Sequence, residues 1–377
     1  MQATKGLAVS FRSRARLLGC LMALVAFAVM ALAPTAGAAK APKEETYLAL
    51  GDSLAFGYSQ QLYNENAAAG DPASAFEAGY ANDYLADLRA HHLYRGMQLT
   101  NDGCPGETTE SMIGSNATLI GGLNAALKEV QEANKLPPVS GGSPCAYQEA
   151  WNAYHSDGTG GPLHHPYVGH SQLENAIETI AVDQALGKPV TKITLNIGAN
   201  DELAVVHGCE KEVTEEFTNE GKSKYGATPN EAVKHCLEAH VPALFGQILS
   251  NITGVLAGIR DGSYFGGVNY TGTILVQGGY DPYGNVFGTG ELLETSTNLA
   301  ALLNENEAAT VSGFGACYAN PEPKFNPGNK KEPERLEAWT NMANFTTFEG
   351  KANGPDIHPT PAGYEELAKI MKADCGL

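Results

Sequence analysis

Three apolar runs in this sequence stop at a glycine-centred turn: Tyr47-Leu48-Ala49-Leu50 at Gly51-Asp52-Ser53-Leu54, Ile193-Thr194-Leu195-Asn196-Ile197 at Gly198-Ala199-Asn200-Asp201, and Thr273-Ile274-Leu275-Val276-Gln277 at Gly278-Gly279-Tyr280-Asp281. Short apolar runs bounded by turn signals read as buried strands, and glycine lets the chain turn sharply where they end. Helical periodicity fills the gaps. Phe76, Tyr80, Tyr84 and Leu88 recur every four residues, Leu173, Ile177 and Ile180 form a second face, and long patterns cover 229–259 and 292–309. Tyr364, Leu367, Ala368 and Met371 share one face of a terminal helix that starts near Pro361. Strands alternating with amphipathic helices predict an α/β protein, a three-layer α/β/α sandwich with a mostly parallel, about five-stranded sheet and chemistry at the carboxyl ends of the strands. Residues 97–100 and 345–348 supply the other two strands, and residues 318–335, rich in Pro, Asn and Lys, read as loop.

The N-terminus stands apart from this pattern. Lys5, Arg12, Arg14 and Arg16 precede an apolar run, residues 17–32, that leads to Ala36-Gly37-Ala38. Basic residues, an apolar stretch and a small-x-small site make a secretory signal peptide, here residues 1–38. Its removal leaves no membrane anchor and takes the net charge from −18 to −22, because the segment holds four basic and no acidic residues. So acidic a surface repels nucleic acid and anionic membranes. The mature chain is expected to be secreted, extracellular or periplasmic, and monomeric.

Seven cysteines become six once Cys20 leaves with the signal. An even count in an exported chain argues for disulfides, and no paired Cys-x-x-Cys spacing points to zinc. Pairing neighbours in order gives Cys104–Cys145, Cys209–Cys236 and Cys317–Cys375, each closing a long irregular or inserted region. Unstrained loops of this size contribute roughly 3 to 4.5 kcal/mol each in the chain-entropy model. Residues 39–377 read as a single domain with insertions near 137–170, rich in Pro, Gly, His and aromatics, and 207–228, acidic and polar. His164, His165 and His170 lie in the first of these without cysteine or clustered carboxylate beside them, which favours a substrate-facing loop over a metal site.

Gly51-Asp52-Ser53-Leu54 alone is turn chemistry. Its meaning changes with the company it keeps: Cys104-Pro105-Gly106-Glu107-Thr108-Thr109, Gly198-Ala199-Asn200-Asp201 and Asp356-Ile357-His358 follow in that order. Together the four blocks resemble those of the SGNH hydrolase superfamily, the GDSL esterases and lipases, over about residue 46 to the C-terminus. The resemblance implies a flavodoxin-like sandwich in which Ser53 is the nucleophile, His358 the base and Asp356 the acid that orients it. It also implies an oxyanion hole made by the N–H of Ser53, the N–H of Gly106 and the side chain of Asn200. The roles make chemical sense, since a serine hydroxyl needs an imidazole to take its proton and a carboxylate to hold the tautomer. Ser53 lies between Asp52 and Leu54, so the Gly-x-Ser-x-Gly signature of the α/β-hydrolases is missing.

By the same resemblance the chain is a carboxylic ester hydrolase, an esterase or lipase working through an acyl-serine intermediate, with no metal and no organic cofactor. Its partner is a small-molecule, lipid or polysaccharide ester. Acyl or lipid esters lead, with deacetylation of carbohydrate as the alternative and an inactive secreted binding module on the same fold as the reading from another class. Tyr58, Tyr63, Tyr80 and the aromatics of 147–167 are candidate pocket walls.

Overall fold

The computed structural model describes residues 44–66, 73–114, 163–164, 171–262, 268–284, 291–329 and 331–376. The first strand, β1 (Thr46–Gly51), passes into a one-turn helix, α1 (Ser53–Phe56), followed by α2 (Gln60–Asn66) and α3 (Tyr80–Ala90). Next come β2 (Gln98–Asn101), α4 (Thr109–Ile113), α5 (Gln172–Ala185) and β3 (Val190–Asn196). Two long helices, α6 (Ala199–Glu220) and α7 (Pro229–Arg260), carry the chain to β4 (Thr273–Gln277). The remainder holds α8 (Glu291–Ser312), β5 (Cys317–Ala319), α9 (Glu322–Phe325), α10 (Glu332–Trp339) and α11 (Pro361–Cys375).

The five strands pair in the order β2-β1-β3-β4-β5, all parallel. Successive side chains on a strand point to opposite faces, and β1 shows the consequence. Leu48 and Leu50 join one core with Ile193, Leu195, Ile274 and Val276 under α5, α7 and α8. Tyr47 and Ala49 join the other with Tyr80, Tyr84 and Leu88 of α3 and Tyr364, Leu367 and Met371 of α11. Both faces are thus covered, as a parallel sheet requires. Each fully buried large side chain of this kind contributes about 1.5 to 3 kcal/mol of burial.

The sheet has five strands, but the fifth is not the expected one. Residues 317–319 fill the edge beside β4, a strand too short to announce itself by periodicity. The run 345–348 instead contributes Thr347–Phe348 to a small exposed hairpin with Lys351–Ala352, turned by Glu349 and Gly350, both with positive φ. Two positive-φ residues between short strands make the tight turn that hairpins favour. Residues 318–335, expected as loop, hold α9 and the start of α10. Of the stretch expected as a polar insertion, 207–220 continues α6, which packs antiparallel on α7.

Two of the three expected disulfides lie among the described residues. Cys209–Cys236 ties α6 to α7, and Cys317–Cys375 ties β5 to the end of α11, each with Cα atoms 5.7 Å apart. Cys104 is disulfide-bonded, while Cys145 and most of the 137–170 insertion, with His165 and His170, lie outside the described residues.

Candidate active site

Strand order reverses direction between β1 and β3: the chain leaves β1 for β2 on one side and later returns to lay β3 on the other. Crevices open at such a point, outside the carboxyl ends of the strands. The register places Gly51 of β1 opposite Asn196 of β3, so both strands end level. Ser53 follows the first by two residues and Asn200 the second by four.

Gly51 has φ +136°, and a Cβ there would come within 2.0 Å of the Asn196 carbonyl oxygen. Only glycine allows the two strand ends to approach so closely. Asp52 then caps α1, its Oδ1 accepting from Leu54 N–H at 2.9 Å. Its Oδ2 is buried without a hydrogen-bond partner among the described residues, and burial pushes the carboxyl up to about 7. Ser53 opens the helix, where a backbone N–H has no intrahelical acceptor.

Asp356 and His358 lie on a short extended segment, Asp356–Pro359, paired antiparallel with Thr340–Asn341. Residues i and i+2 of a strand project to the same side, which is why a two-residue spacing brings both side chains together. His358 Nε2 is 2.8 Å from Ser53 Oγ, and Nδ1 is 2.5 Å from Asp356 Oδ1. The carboxylate is held in turn: Oδ1 also accepts from His358 N–H at 3.2 Å and Oδ2 from Gln60 N–H at 2.8 Å. Asn341 Nδ2 donates to the carbonyls of His358 and Pro359, both at 3.1 Å, fixing the strand, and Tyr58 meets the His358 ring edge-on with centroids 4.7 Å apart.

The Gly106 turn follows β2. A Cβ on Gly103 would strike the backbone of α1, with Phe56 N at 2.5 Å, whereas Gly106 has φ +89° and open space around it. The two glycines of this turn therefore differ physically: Gly103 permits packing, and Gly106 sits exposed in a left-handed conformation. Asn200 Nδ2 donates to the Glu107 carbonyl at 2.9 Å, joining the β2 turn to the β3 turn. Asp201 reinforces the joint, accepting from Thr109 N–H at 2.9 Å and Thr109 Oγ1 at 2.7 Å, though burial pushes its carboxyl up to about 6.

Sequence reasoning missed Gln172. Its amide clamps Gly51 from both sides, accepting from Gly51 N–H at 2.6 Å and donating to Gly51 O at 3.0 Å, and reaches Glu107 Oε2 at 3.3 Å. Nothing in the local pattern marks a polar residue at a helix start as a buried brace. The expected pocket walls divide: Tyr58 lies edge-on against His358, and apart from Leu163 and His164 the stretch 147–167 lies outside the described residues. Tyr80 is fully buried in the sheet core, and of residues 147–167 the described His164 packs on Phe56, its Nε2 2.9 Å from the Phe56 carbonyl oxygen.

The pocket itself runs from Ser53, Asn200 and His358 in between α6, α7 and α8, with a volume of about 160 Å³. Its walls are mostly apolar. Tyr280, whose hydroxyl donates to the Ile357 carbonyl at 2.7 Å, closes the side beneath the histidine strand.

No family model matches the chain, and no curated protein matches it by sequence. Among solved structures it is similar to the lipase Lip_vut3 from a goat rumen metagenome, with 14% identity and TM-score 0.43 over 88% of this chain and 97% of that one. It is also similar to phospholipase A1 from Streptomyces albidoflavus NA297, with 13% identity and TM-score 0.44 over 88% and 100%. A third is the acetylxylan esterase Axe2 from Geobacillus stearothermophilus, with 12% identity and TM-score 0.39 over 90% and 97%.

Proposed function

We propose that this chain is an SGNH-type serine hydrolase that cleaves carboxylic esters through an acyl-serine intermediate. The observation that carries the reading is the unbroken hydrogen-bond chain from Ser53 Oγ through His358 to Asp356, set at the mouth of an apolar pocket. In this mechanism Ser53 Oγ attacks the ester carbonyl carbon while His358 Nε2 takes its proton. Asp356 stabilises the imidazolium and holds its Nδ1 proton; it is not itself protonated. The carbonyl electron pair moves onto oxygen, where the N–H groups of Ser53 and Gly106 and the amide of Asn200 receive it. Collapse expels the alcohol, which takes the proton from Nε2, and water repeats the sequence to release the acid.

The pocket favours an acyl ester over an acetylated sugar, because burying apolar lining against a hydrocarbon is favourable at roughly 25 cal/mol per Å² and a polar glycan gains little there. Export belongs to the same proposal: residues 1–38 act as a cleaved signal, and the bridges Cys209–Cys236 and Cys317–Cys375 suit an oxidising compartment.

A p-nitrophenyl ester series on the parent and on Ser53→Ala tests the mechanism. Hydrolysis by the parent, lost by at least a thousandfold in Ser53→Ala, is the expected result. Turnover that survives in Ser53→Ala would falsify it, and a parent with no activity on any ester would leave the binding-module reading standing in its place.

A further inference from the structure

The pocket that starts at Ser53 is walled on its far side by a helical hairpin whose α7 half is anchored in the main core through Val241, Leu244 and Phe245, while its α6 half buries only Asp201, Cys209 and Val213. Leu203 and Val206 of α6 face Leu237, Val241 and Phe245 of α7 across it, with Leu303 of α8 closing the third side. Where α6 and α7 run on past the pocket, their shared core consists of four buried residues, Cys209, Val213, Ala232 and Cys236. Two of those four are the bridged cysteines. Cys209 lies three residues beyond Val206, and Cys236 is adjacent to Leu237, so the S–S bond crosses the hairpin within one turn of the pocket wall on both helices. Past the bridge, Glu210, Lys211, Glu215 and Glu220 are exposed, and the half-buried Phe217, Tyr225 and Val233 pack against the same small cluster.

The size of the space is informative. An apolar cavity of about 150 Å³ admits benzene, and this one, about 160 Å³, is of that order. A straight segment of about six carbons fills a similar volume. Two carboxyls, Glu202 and Glu307, line the same space, and burial pushes them up to about 7 and about 8, so below neutral pH the pocket carries little charge against a hydrocarbon.

We infer that this pocket receives the acyl chain of a medium-length ester, and that the Cys209–Cys236 bond, by holding the α6–α7 wall in place, sets the chain length the enzyme prefers. The inference rests on the ester-hydrolase reading above and names the acyl group that such an enzyme takes. An optimum at hexanoate to octanoate follows. A freed wall admits longer chains, since the small core left behind loses its covalent brace while Ser53, Asp356 and His358 lie on other segments and Asn200, at the start of α6, stays tied to the Glu107 carbonyl.

The experiment measures kcat/KM on p-nitrophenyl acetate, hexanoate, octanoate and laurate. Val241→Trp, which fills the pocket, is expected to lower the octanoate-to-acetate ratio at least tenfold. Cys209→Ser/Cys236→Ser is expected to raise the laurate-to-hexanoate ratio about fivefold, and Leu237→Ala, which trims the wall while keeping both cysteines, to raise it in the same direction. An octanoate-to-acetate ratio unmoved in Val241→Trp overturns the pocket assignment. A laurate-to-hexanoate ratio unmoved in Leu237→Ala and in the cysteine pair variant, or in Leu237→Ala alone where the pair does not fold, overturns the role of the wall. Either failure, in an enzyme whose activity is still abolished by Ser53→Ala, strikes this inference and leaves the ester-hydrolase reading intact.

Discussion

At Asn200 one amide serves two surfaces. One of its N–H bonds holds the Glu107 carbonyl at 2.9 Å, and the same residue, with a second amide N–H, lines the pocket that starts at Ser53. If that second donor meets the oxyanion, its loss acts on the transition state and not on the bound ester. Asn200→Ala should therefore lower kcat by about 10² to 10³ while KM moves little, the split that removal of an oxyanion donor produces. Steady-state kinetics on a short ester read both constants, and an equal kcat would remove Asn200 from the hole. The residue types of this site were legible in the sequence because four short blocks, holding Ser53, Gly106, Asn200 and Asp356 with His358, follow in the order of a family they resemble. Gln172 and Glu107 were not, since a glutamine and a glutamate carry no signal that distinguishes a buried brace from a solvated surface.

At the scale of elements, the joint between α4 and α6 holds together the two turns to which the proposed oxyanion hole belongs. Asp201 accepts both donors of Thr109 at the start of α4, and so ties the Gly106 turn to the β3 turn. Asp201→Ala leaves a buried N–H and a buried hydroxyl without that acceptor, a loss of about 1 to 3 kcal/mol. The expected outcome is a lower urea midpoint together with a lower kcat, and a midpoint equal to the parent's would show that the joint is held by packing alone. Strand and helix periodicity predicted most of these elements. It failed at β5, whose three residues span less than two periods of alternation, and at 207–220, where a polar face reads as insertion although the helix has one buried stripe through Cys209 and Val213.

Across the whole molecule, stability should depend on the acids buried beside the pocket. Glu307 is 3% exposed, with Tyr318 donating to it at 2.9 Å, and burial lifts its carboxyl to about 8. With a folded-state pKa above the unfolded value, the group's contribution is fully present below the unfolded pKa and is lost as pH rises through the folded one. Stability should thus fall between about pH 4.5 and 8, each tenfold change in proton affinity being worth about 1.4 kcal/mol. Glu307→Gln removes this slope. Thermal melts of the pair should show the variant gaining on the parent from pH 5 to pH 8, and a constant difference in Tm would mean that Glu307 is not buried neutral.

What the sequence by itself determined is local: the alternation of strand and helix, the glycine turns that end the strands, and the residue types able to pass a proton from serine to histidine. These are legible because periodicity and turn chemistry depend on neighbours within a few positions. Tertiary structure alone decided which strand lies beside which, the Gly51–Asn196 register, and the meeting of Ser53 with a histidine 305 residues away. It also decided that three helices line an apolar pocket beside that serine. Register and enclosure are set by the packing of side chains far apart in the chain, and no short-range pattern encodes them.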